Sequence, residues 1–449
     1  MPTLDGIKKI GIWGFGREGR AAFNYIRDHY PDIDITILND TQIAEEIPAR
    51  FVYGQDISQW LKRDALDLVV KSPGISLYRA EIADAKRRGL SFTSVTNLWF
   101  EQYPDAYKIV VTGTKGKSTT SRLLQHLLIE AGMDTLLIGN VGIPALGHQP
   151  PRDYTIFELS SYQIADLQHP AQMALVTNLF PEHAPWHGGA QQYFADKLRI
   201  LELSQQTIGV CNYANEQLRK RVEGKPNITW FNSDPGYRVH DGKLYFDNTE
   251  IKCLGFPLKG EHNLSNLAAA CTVADILDIH KFRECINLES FKQLDHRLEE
   301  FRVGSGLLCV DDSISTVPEA TIAALKAYPD VDKILFLGGT DRGQDYTQLL
   351  SHIMEARVKE VLLLRPAGER ILSQISESCK KIHANCVANL EQGVAEAMRS
   401  VRENDLIMLS PAAPSFGEFR DFEERGRAFK ELCRRYAPSS SRPQEGEGQ

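Results

Sequence analysis

Val110-Val111-Thr112-Gly113-Thr114-Lys115-Gly116-Lys117-Ser118-Thr119-Thr120 joins an apolar β-branched run to a run of helix formers through two glycines. The run at 108–112 predicts a strand and residues 118–131 predict an amphipathic helix. A glycine-rich turn at such a junction aims backbone N–H groups and the helix N-terminus at a phosphate. Two residues separate the glycines here, where the general phosphate loop has four, but the mechanics carry over. Gly113, Thr114, Lys115, Gly116, Lys117, Ser118 and Thr119 are therefore predicted to cradle ATP, with Lys117 on the β/γ oxygens and Ser118 on Mg2+.

Working outward, the same alternation recurs. Strands are predicted at 9–13, 33–38, 66–70, 134–138, 154–159, 174–178, 333–337, 360–364 and 406–409, and crossover helices at 19–29, 263–277, 318–327 and 422–434. Alternating strands and helices imply βαβ units and parallel sheets, hence an α/β fold. Three sets of strands imply three domains: a Rossmann-like unit at 1–95, a P-loop ATPase-like unit at 96–297 and a second Rossmann-like unit at 298–437. The chain length of 449 residues suits that number. Residues 209–260, rich in Asn, Asp and Gly, read as a mixed, partly antiparallel edge of the middle domain. Residues 438–449, rich in Ser, Pro, Glu and Gly, read as a disordered tail.

A second glycine loop, Gly14-Phe15-Gly16-Arg17-Glu18-Gly19, lies between the first strand and first helix, with Asp40 closing the second strand. Glycines that admit a pyrophosphate and an acid that meets a ribose are the dinucleotide fingerprint. It allows an NAD-dependent oxidoreductase, but any ligand with a diphosphate and a ribose, a UDP-sugar included, satisfies the same groups. No organised set of hydride-transfer residues accompanies it.

The net charge of −8 speaks against a general affinity for nucleic acid. No apolar run approaches the roughly 18 residues that span a bilayer, and residues 1–11 show no leader pattern. The eight cysteines are scattered without a CxxC pair, as suits reduced thiols. A cytoplasmic monomer without membrane or nucleic-acid partners is expected.

Thr112 to Thr119, with its shortened spacing, resembles the ATP loop of the Mur ligases and their folylpolyglutamate synthetase relatives. Further segments agree in family order: Glu158-Leu159-Ser160-Ser161-Tyr162-Gln163, Asn178 through His183, Gly260 through Asn266, and Asp295-His296-Arg297. The ending, Leu409 through Ala413 and Phe419 through Gly426, is similar to that of the glutamate-adding member. The complete N-terminal domain with its own glycine loop disfavours a folylpolyglutamate synthetase.

The resemblance implies an ATP-dependent ligase of peptidoglycan synthesis. It would join glutamate to UDP-N-acetylmuramoyl-L-alanine through an acyl phosphate. Glu158 and His183 match Mg2+-binding positions, and Lys197 matches a lysine carried as a carbamate, which CO2 turns from a cation into an anionic oxygen ligand. His187 reads as structural. Asn263 and Asn266 match adenine contacts, and Arg297 and Asp312 match residues that the third domain brings to the nucleotide. Phe15, Arg17, Asp40, Thr41 and Ser72 match the UDP-sugar loops, while Asn140, Ser160 and Gln163 match contacts to the muramoyl-alanine portion. Thr316, Arg342, Ser415 and Phe422 match the glutamate subsite.

Two departures stand out. Asp312-Ser313-Ile314-Ser315-Thr316-Val317 has isoleucine where the family pattern Asp-Ser-Lys-Ala-Thr-Asn has lysine, and the usual acidic residue after His183 is missing. Losing a cation from a partly dry site is not neutral. The departures resemble a divergent branch that adds L-glutamate and leaves inversion to a separate epimerase, which is favoured here over the ordinary D-glutamate-adding ligase.

Overall fold

In the computed structural model, which describes residues 4–43, 47–61, 66–141, 143–147, 150–258, 260–292, 295–378 and 382–437, the chain opens with five parallel strands. They are β1 (Lys9–Trp13), β2 (Asp34–Asn39), β3 (Arg50–Tyr53), β4 (Leu68–Lys71) and β5 (Ser91–Thr93), in the order β3-β2-β1-β4-β5. Helices α1 (Arg17–His29), α2 (Asp56–Leu61) and α3 (Ala80–Arg87) cross over between them. Ala22, Phe23, Tyr25 and Ile26 form the buried face of α1, the helical spacing that made it legible.

The expected boundary between residues 95 and 96 falls in the first turn of a buried helix. Ser94 caps α4 (Val95–Gln102) by accepting from the Asn97 amide, and nearly all of α4 is buried. Trp99 and Phe100 pack on Phe157 at centroid distances of 4.8 and 4.9 Å. Burying one such ring contributes about 2 kcal/mol. Asn97 also exchanges hydrogen bonds with the Asp166 carbonyl and the Gln168 amide. The first two sheets therefore share one core.

The second sheet contains β6 (Lys108–Thr112), β7 (Thr135–Gly139), β8 (Tyr154–Glu158), β9 (Met173–Val176), β10 (Ile208–Asn212) and β11 (Ile228–Phe231), all parallel, in the order β11-β10-β9-β6-β8-β7. Its helices are α5 (Lys117–Glu130), α6 (Ser161–Asp166), α7 (Ala184–His187), α8 (Ala190–Leu198) and α9 (Glu216–Val222). Every residue of β6 is buried, as befits a central parallel strand covered on both faces.

Residues 209–260 are mixed and partly antiparallel as expected, but the antiparallel part is not joined to the main sheet. β10 and β11 complete the parallel sheet, while β12 (Tyr237–His240), β13 (Lys243–Phe246) and β14 (Thr249–Glu250) form a separate antiparallel sheet. The turn at Asp241 and Gly242, both at positive φ, closes the β12–β13 hairpin. Tyr237, Leu244 and Ile251 then pack in one core with α10 (Glu261–Ile276), so the hairpin serves that helix instead of the sheet edge. Strand β15 (Lys252–Leu254) pairs in parallel with β16 (Cys285–Asn287).

The chain divides into two units, Met1–Phe291 and Lys292–Gln449, a few residues ahead of the expected boundary at 296–299. The second holds β17 (Glu299–Val303), β18 (Leu307–Asp311), β19 (Lys333–Gly338), β20 (Val358–Leu364), β21 (Ala384–Val387) and β22 (Leu406–Leu409), in the order β17-β18-β22-β19-β20-β21 with only β17 antiparallel. Helices α11 (Pro318–Lys326), α12 (Thr347–Glu355) and α13 (Ala367–Ser378) cover one face; α14 (Leu390–Ser400) and α15 (Phe422–Tyr436) cover the other. The tail at 438–449 and Cys379 lie outside the described residues.

Candidate active site

The phosphate loop follows β6, and α5 begins at Lys117 behind Gly116, which is left-handed at φ 84° and offers no side-chain cap. The first-turn amides are thus left for an anion. A Cβ on Gly113 would overlap Thr177 Oγ1, and one on Gly116 would stand 2.5 Å from Asn266 Oδ1, so both positions require glycine. The loop is pinned from β9 onward: Asn178 accepts from the Thr114 and Lys115 amides at 2.9 and 2.8 Å, and Thr114 Oγ1 meets Tyr193 Oη at 2.8 Å. Lys117 Nζ folds back onto the Gly113 and Thr114 carbonyls, both at 3.1 Å, and Lys115 pairs with Glu182 at 2.6 Å. Ser118 is half-buried and Thr119 buried in the first turn of α5. Asn263 and Asn266 are buried together on α10, joined by a 3.2 Å hydrogen bond.

Strands β8 and β9 flank β6, with Glu158 beside Val111 and Val176 beside Thr112. Their carboxyl ends bring the predicted metal group to the loop, where open α/β sheets bind ligands. Glu158 is fully buried; its Oε1 accepts from Asn140 Nδ2 at 3.0 Å, and its Oε2 has no hydrogen-bond partner. Lys197 is buried on α8 and donates to the Gly113 carbonyl at 3.0 Å. Burial first, then the charge of Lys117, holds its amine well below the usual lysine range. His183 is exposed just before α7, at φ 55°. Partial burial of its ring and the field of Lys197, Lys117 and Lys115 lower its pKa against the pull of Glu182, favouring the neutral imidazole. His187, read as structural, is buried between Asp196 (2.5 Å) and Ser161 (3.0 Å).

The first sheet supplies a cleft of about 460 Å³ lined by Gly14 through Glu18, Asn39, Ser72 through Ile75, and Asn140. Gly16 caps α1 without a side-chain bond, a second open helix N-terminus. Arg17 lines the cleft, and Ser72 Oγ donates to the Gly14 carbonyl at 2.6 Å. Several expectations change. Phe15 turns its ring into the core, edge-on to Phe23, and its amide is bound by Asn39 Oδ1 at 2.9 Å. Asp40, expected at a ribose, is held by Arg79 through two bonds of 3.1 and 2.8 Å, and Asn39 lines the cleft in its stead. Thr41 is exposed, bonded to Asn39 through its carbonyl. Ser160 and Gln163 form the capping box of α6, so their polar atoms are engaged locally.

In the second unit, Asp312 is not presented to a ligand. It is buried and accepts from Ser315 Oγ (2.5 Å), Ser410 Oγ (2.7 Å) and the Leu298 amide (3.2 Å); burial pushes its carboxyl up to about 6. The Arg297 Nε is buried without a hydrogen-bond partner. Ile314 is half-buried, its amide bonded to the His296 carbonyl. Thr316 and Phe422 are half-buried, Ser415 is buried, and Arg342 is exposed, its guanidinium 5.7 Å from the Phe416 ring centre. His296, Glu299 and Asp311 converge as a metal could require, but His296 is paired with Asp311 at 2.6 Å and Glu299 with Lys430 at 2.7 Å, which satisfies their charges internally.

Residues 111–274 match the Mur ligase middle domain, and 296–413 match the Mur ligase, glutamate ligase domain. Among curated proteins, the UDP-N-acetylmuramoyl-L-alanine–L-glutamate ligase of Xanthomonas euvesicatoria is 36% identical over 456 positions covering 96% of each chain. That of Salinispora tropica is 36% identical, covering 95% of this chain and 97% of its own. The chain belongs to the Mur ligase family. Among solved structures, the MurF ligase of Thermotoga maritima in complex with ADP matches this Mur ligase at TM-score 0.57 and 17% identity, covering 97% of both chains. MurC of the same organism matches at 0.58 and 15%, covering 95% and 98%. These support the multidomain Mur ligase architecture, and family membership sets aside the oxidoreductase alternative.

Two side chains in this Mur ligase's sites were missed by sequence reasoning. Glu18 sits inside the first glycine loop, hydrogen-bonded to Gln163 Nε2 at 2.7 Å with its Oε2 buried and unpartnered. Arg425, 1% exposed on α15, ties the Ser313 hydroxyl and carbonyl to the Ala413 carbonyl at 2.8–3.0 Å. Their signals were present but ambiguous, since a charged residue in a helical run reads as solvated until its burial is known.

Among the described residues, no helix is long and apolar enough to cross a membrane.

Proposed function

We propose that the chain uses ATP to join L-glutamate to UDP-N-acetylmuramoyl-L-alanine in peptidoglycan synthesis. The observation that carries this reading is an unpartnered, buried Glu158 oxygen on the strand beside the phosphate loop, together with a buried Lys197 whose amine reaches the loop's Gly113 carbonyl. A fully buried carboxylate oxygen without a donor suits a hard cation. A buried lysine whose pKa is held below its usual range presents a neutral amine, which suits carbamate formation with CO2. Glu158, His183, Ser118 and carbamylated Lys197 would then hold Mg2+, which neutralises phosphate charge during transfer. The relatives named as L-glutamate ligases support the choice of enantiomer.

The γ-phosphoryl group passes to the substrate carboxylate, forming an acyl phosphate and releasing ADP. The glutamate amine attacks the acyl carbon, the amide bond forms, and inorganic phosphate leaves. The phosphate-loop amides and Lys117 orient the phosphates, and Asn140 fixes the Glu158 carboxylate. Asn263 and Asn266 receive the adenine, the cleft at Gly14–Glu18 receives the UDP-sugar, and Thr316, Arg342, Ser415 and Phe422 receive glutamate. The division of labour follows domains at 1–95, 96–297 and 298–437, in a cytoplasmic monomer.

Phosphate release is measured with ATP, Mg2+, UDP-N-acetylmuramoyl-L-alanine and each glutamate enantiomer. Turnover with L-glutamate alone is expected; turnover with D-glutamate alone would return the chain to the ordinary branch, and turnover with neither would overturn the substrate assignment.

A further inference from the structure

Four side chains with no role in that scheme form one hydrogen-bonded line. Tyr78 Oη donates to both Asp196 oxygens at 2.8 Å, Asp196 Oδ2 lies 2.5 Å from His187 Nδ1, and His187 Nε2 lies 3.0 Å from Ser161 Oγ. A carboxylate at Nδ1 calls for a proton there, and in that neutral tautomer Nε2 accepts from the Ser161 hydroxyl. The order Ser–His–Asp has the spacing of a hydrolytic triad. Ser161 and His187, however, are only 2% and 1% exposed, so no substrate reaches the hydroxyl. The line is a strut.

Its ends are informative. Tyr78 closes the segment whose Ser72 through Ile75 line the cleft. That segment is clamped to α7, with Ser76 Oγ donating to the Trp186 carbonyl at 2.6 Å and Trp186 Nε1 to the Pro73 carbonyl at 3.1 Å. Asp196 immediately precedes Lys197 on α8, and Ser161 opens α6 three residues beyond Glu158. Side-chain hydrogen bonds therefore connect the cleft loop continuously to the helix that carries Lys197.

We propose that Tyr78, Asp196, His187 and Ser161 are positioning residues that couple the cleft-lining segment 72–78 to the setting of Lys197, so that substrate in the cleft and the carbamate on Lys197 stabilise each other. This rests on the assignment of the cleft to the UDP-linked substrate and of Lys197 to a carbamate. Carbamate formation joins the neutral Lys197 nitrogen to the carbon of CO2 and releases one proton to solvent. By linkage, whatever factor substrate adds to CO2 affinity, CO2 adds to substrate affinity.

The test is carbon-13 NMR of the full-length enzyme titrated with labelled bicarbonate, with and without UDP-N-acetylmuramoyl-L-alanine. In the wild type, substrate is expected to lower the half-saturating bicarbonate about fivefold or more. In Tyr78→Phe, whose ring keeps its edge-on packing against Trp186 at 6.1 Å, the carbamate signal is expected to remain while the shift falls below about twofold. Ser161→Ala, at the other end, is expected to lose the shift equally. An undiminished shift in both variants would overturn the coupling. A wild type with no carbamate signal would overturn the reading of Lys197 itself, and the coupling with it.

Discussion

Asn140 Nδ2 donates to Glu158 Oε1 at 3.0 Å, while Oε2 of the same carboxylate is buried without a partner. One residue thus aims the carboxylate and leaves its other oxygen unsatisfied, which under the proposed function is the oxygen that Mg2+ meets. Glu158→Gln keeps the shape and the Asn140 bond but removes the charge. Turnover is expected to fall roughly a hundred- to a thousandfold, the equivalent of several kcal/mol of charge stabilisation. The apparent Mg2+ requirement should rise while the melting temperature holds or increases. Phosphate release against Mg2+ concentration, with calorimetry on the same samples, checks both; unchanged Mg2+ dependence would remove Glu158 from the metal site.

Lys117 lies at the first position of α5, with Nζ against the carbonyls of its own loop. Lys117→Ala is expected to reduce turnover about a thousandfold through loss of phosphate-charge neutralisation, with a melting temperature close to that of the wild type. Retained turnover in a folded variant would sink the assignment of the loop.

Most of the architecture was legible because the central strands are sheathed on both faces and appear as unbroken apolar runs, as Lys333–Gly338 and Lys108–Thr112 do. Gly14, Gly19, Gly113 and Gly116 were legible because their conformations or close approaches admit no side chain. The partners of single polar residues were not. Asp40 completes a fingerprint, yet Arg79, thirty-nine positions away, occupies it. Asp312 lies in a recognisable motif, yet Ser410 and Leu298 draw it inside. Such pairings depend on which loops the sheet order juxtaposes, which no local spacing records.

Arg425 joins the loop at Ser313 to the loop at Ala413 through a planar fork, and burial lowers its pKa to about 10. Lysine presents its donors from one point and cannot reach all three acceptors. Arg425→Lys is expected to destabilise the chain by about 2–3 kcal/mol, because buried carbonyls lose their donors. Ser415 and Phe422 flank those loops, so KM for glutamate should rise several-fold while KM for ATP stays constant. Denaturant unfolding and substrate-resolved kinetics test the two halves separately. An unchanged glutamate KM would confine Arg425 to a structural role.

Glu18 lines the cleft, and burial pushes its carboxyl from the usual 4.5 up to about 7, against the Gln163 hydrogen bond and the charge of Lys71. Because the folded pKa is raised, the folded chain holds a proton that the unfolded chain has released between these values. The stability tied to this group is therefore full below about pH 4.5 and is lost as pH rises towards 7. Glu18→Gln can still accept from Gln163 but has no charge to bury. At pH 8 it is expected to be more stable than the wild type by roughly 2 kcal/mol, with the difference shrinking towards pH 5. The same charge would face a diphosphate in the cleft, so wild-type KM for the UDP-linked substrate should climb as pH passes 7 and stay flat in the variant. Urea melts and KM profiles across pH 5 to 9 read both effects. Parallel profiles for the two proteins would show that Glu18 stays neutral throughout, or that the diphosphate binds beyond its reach.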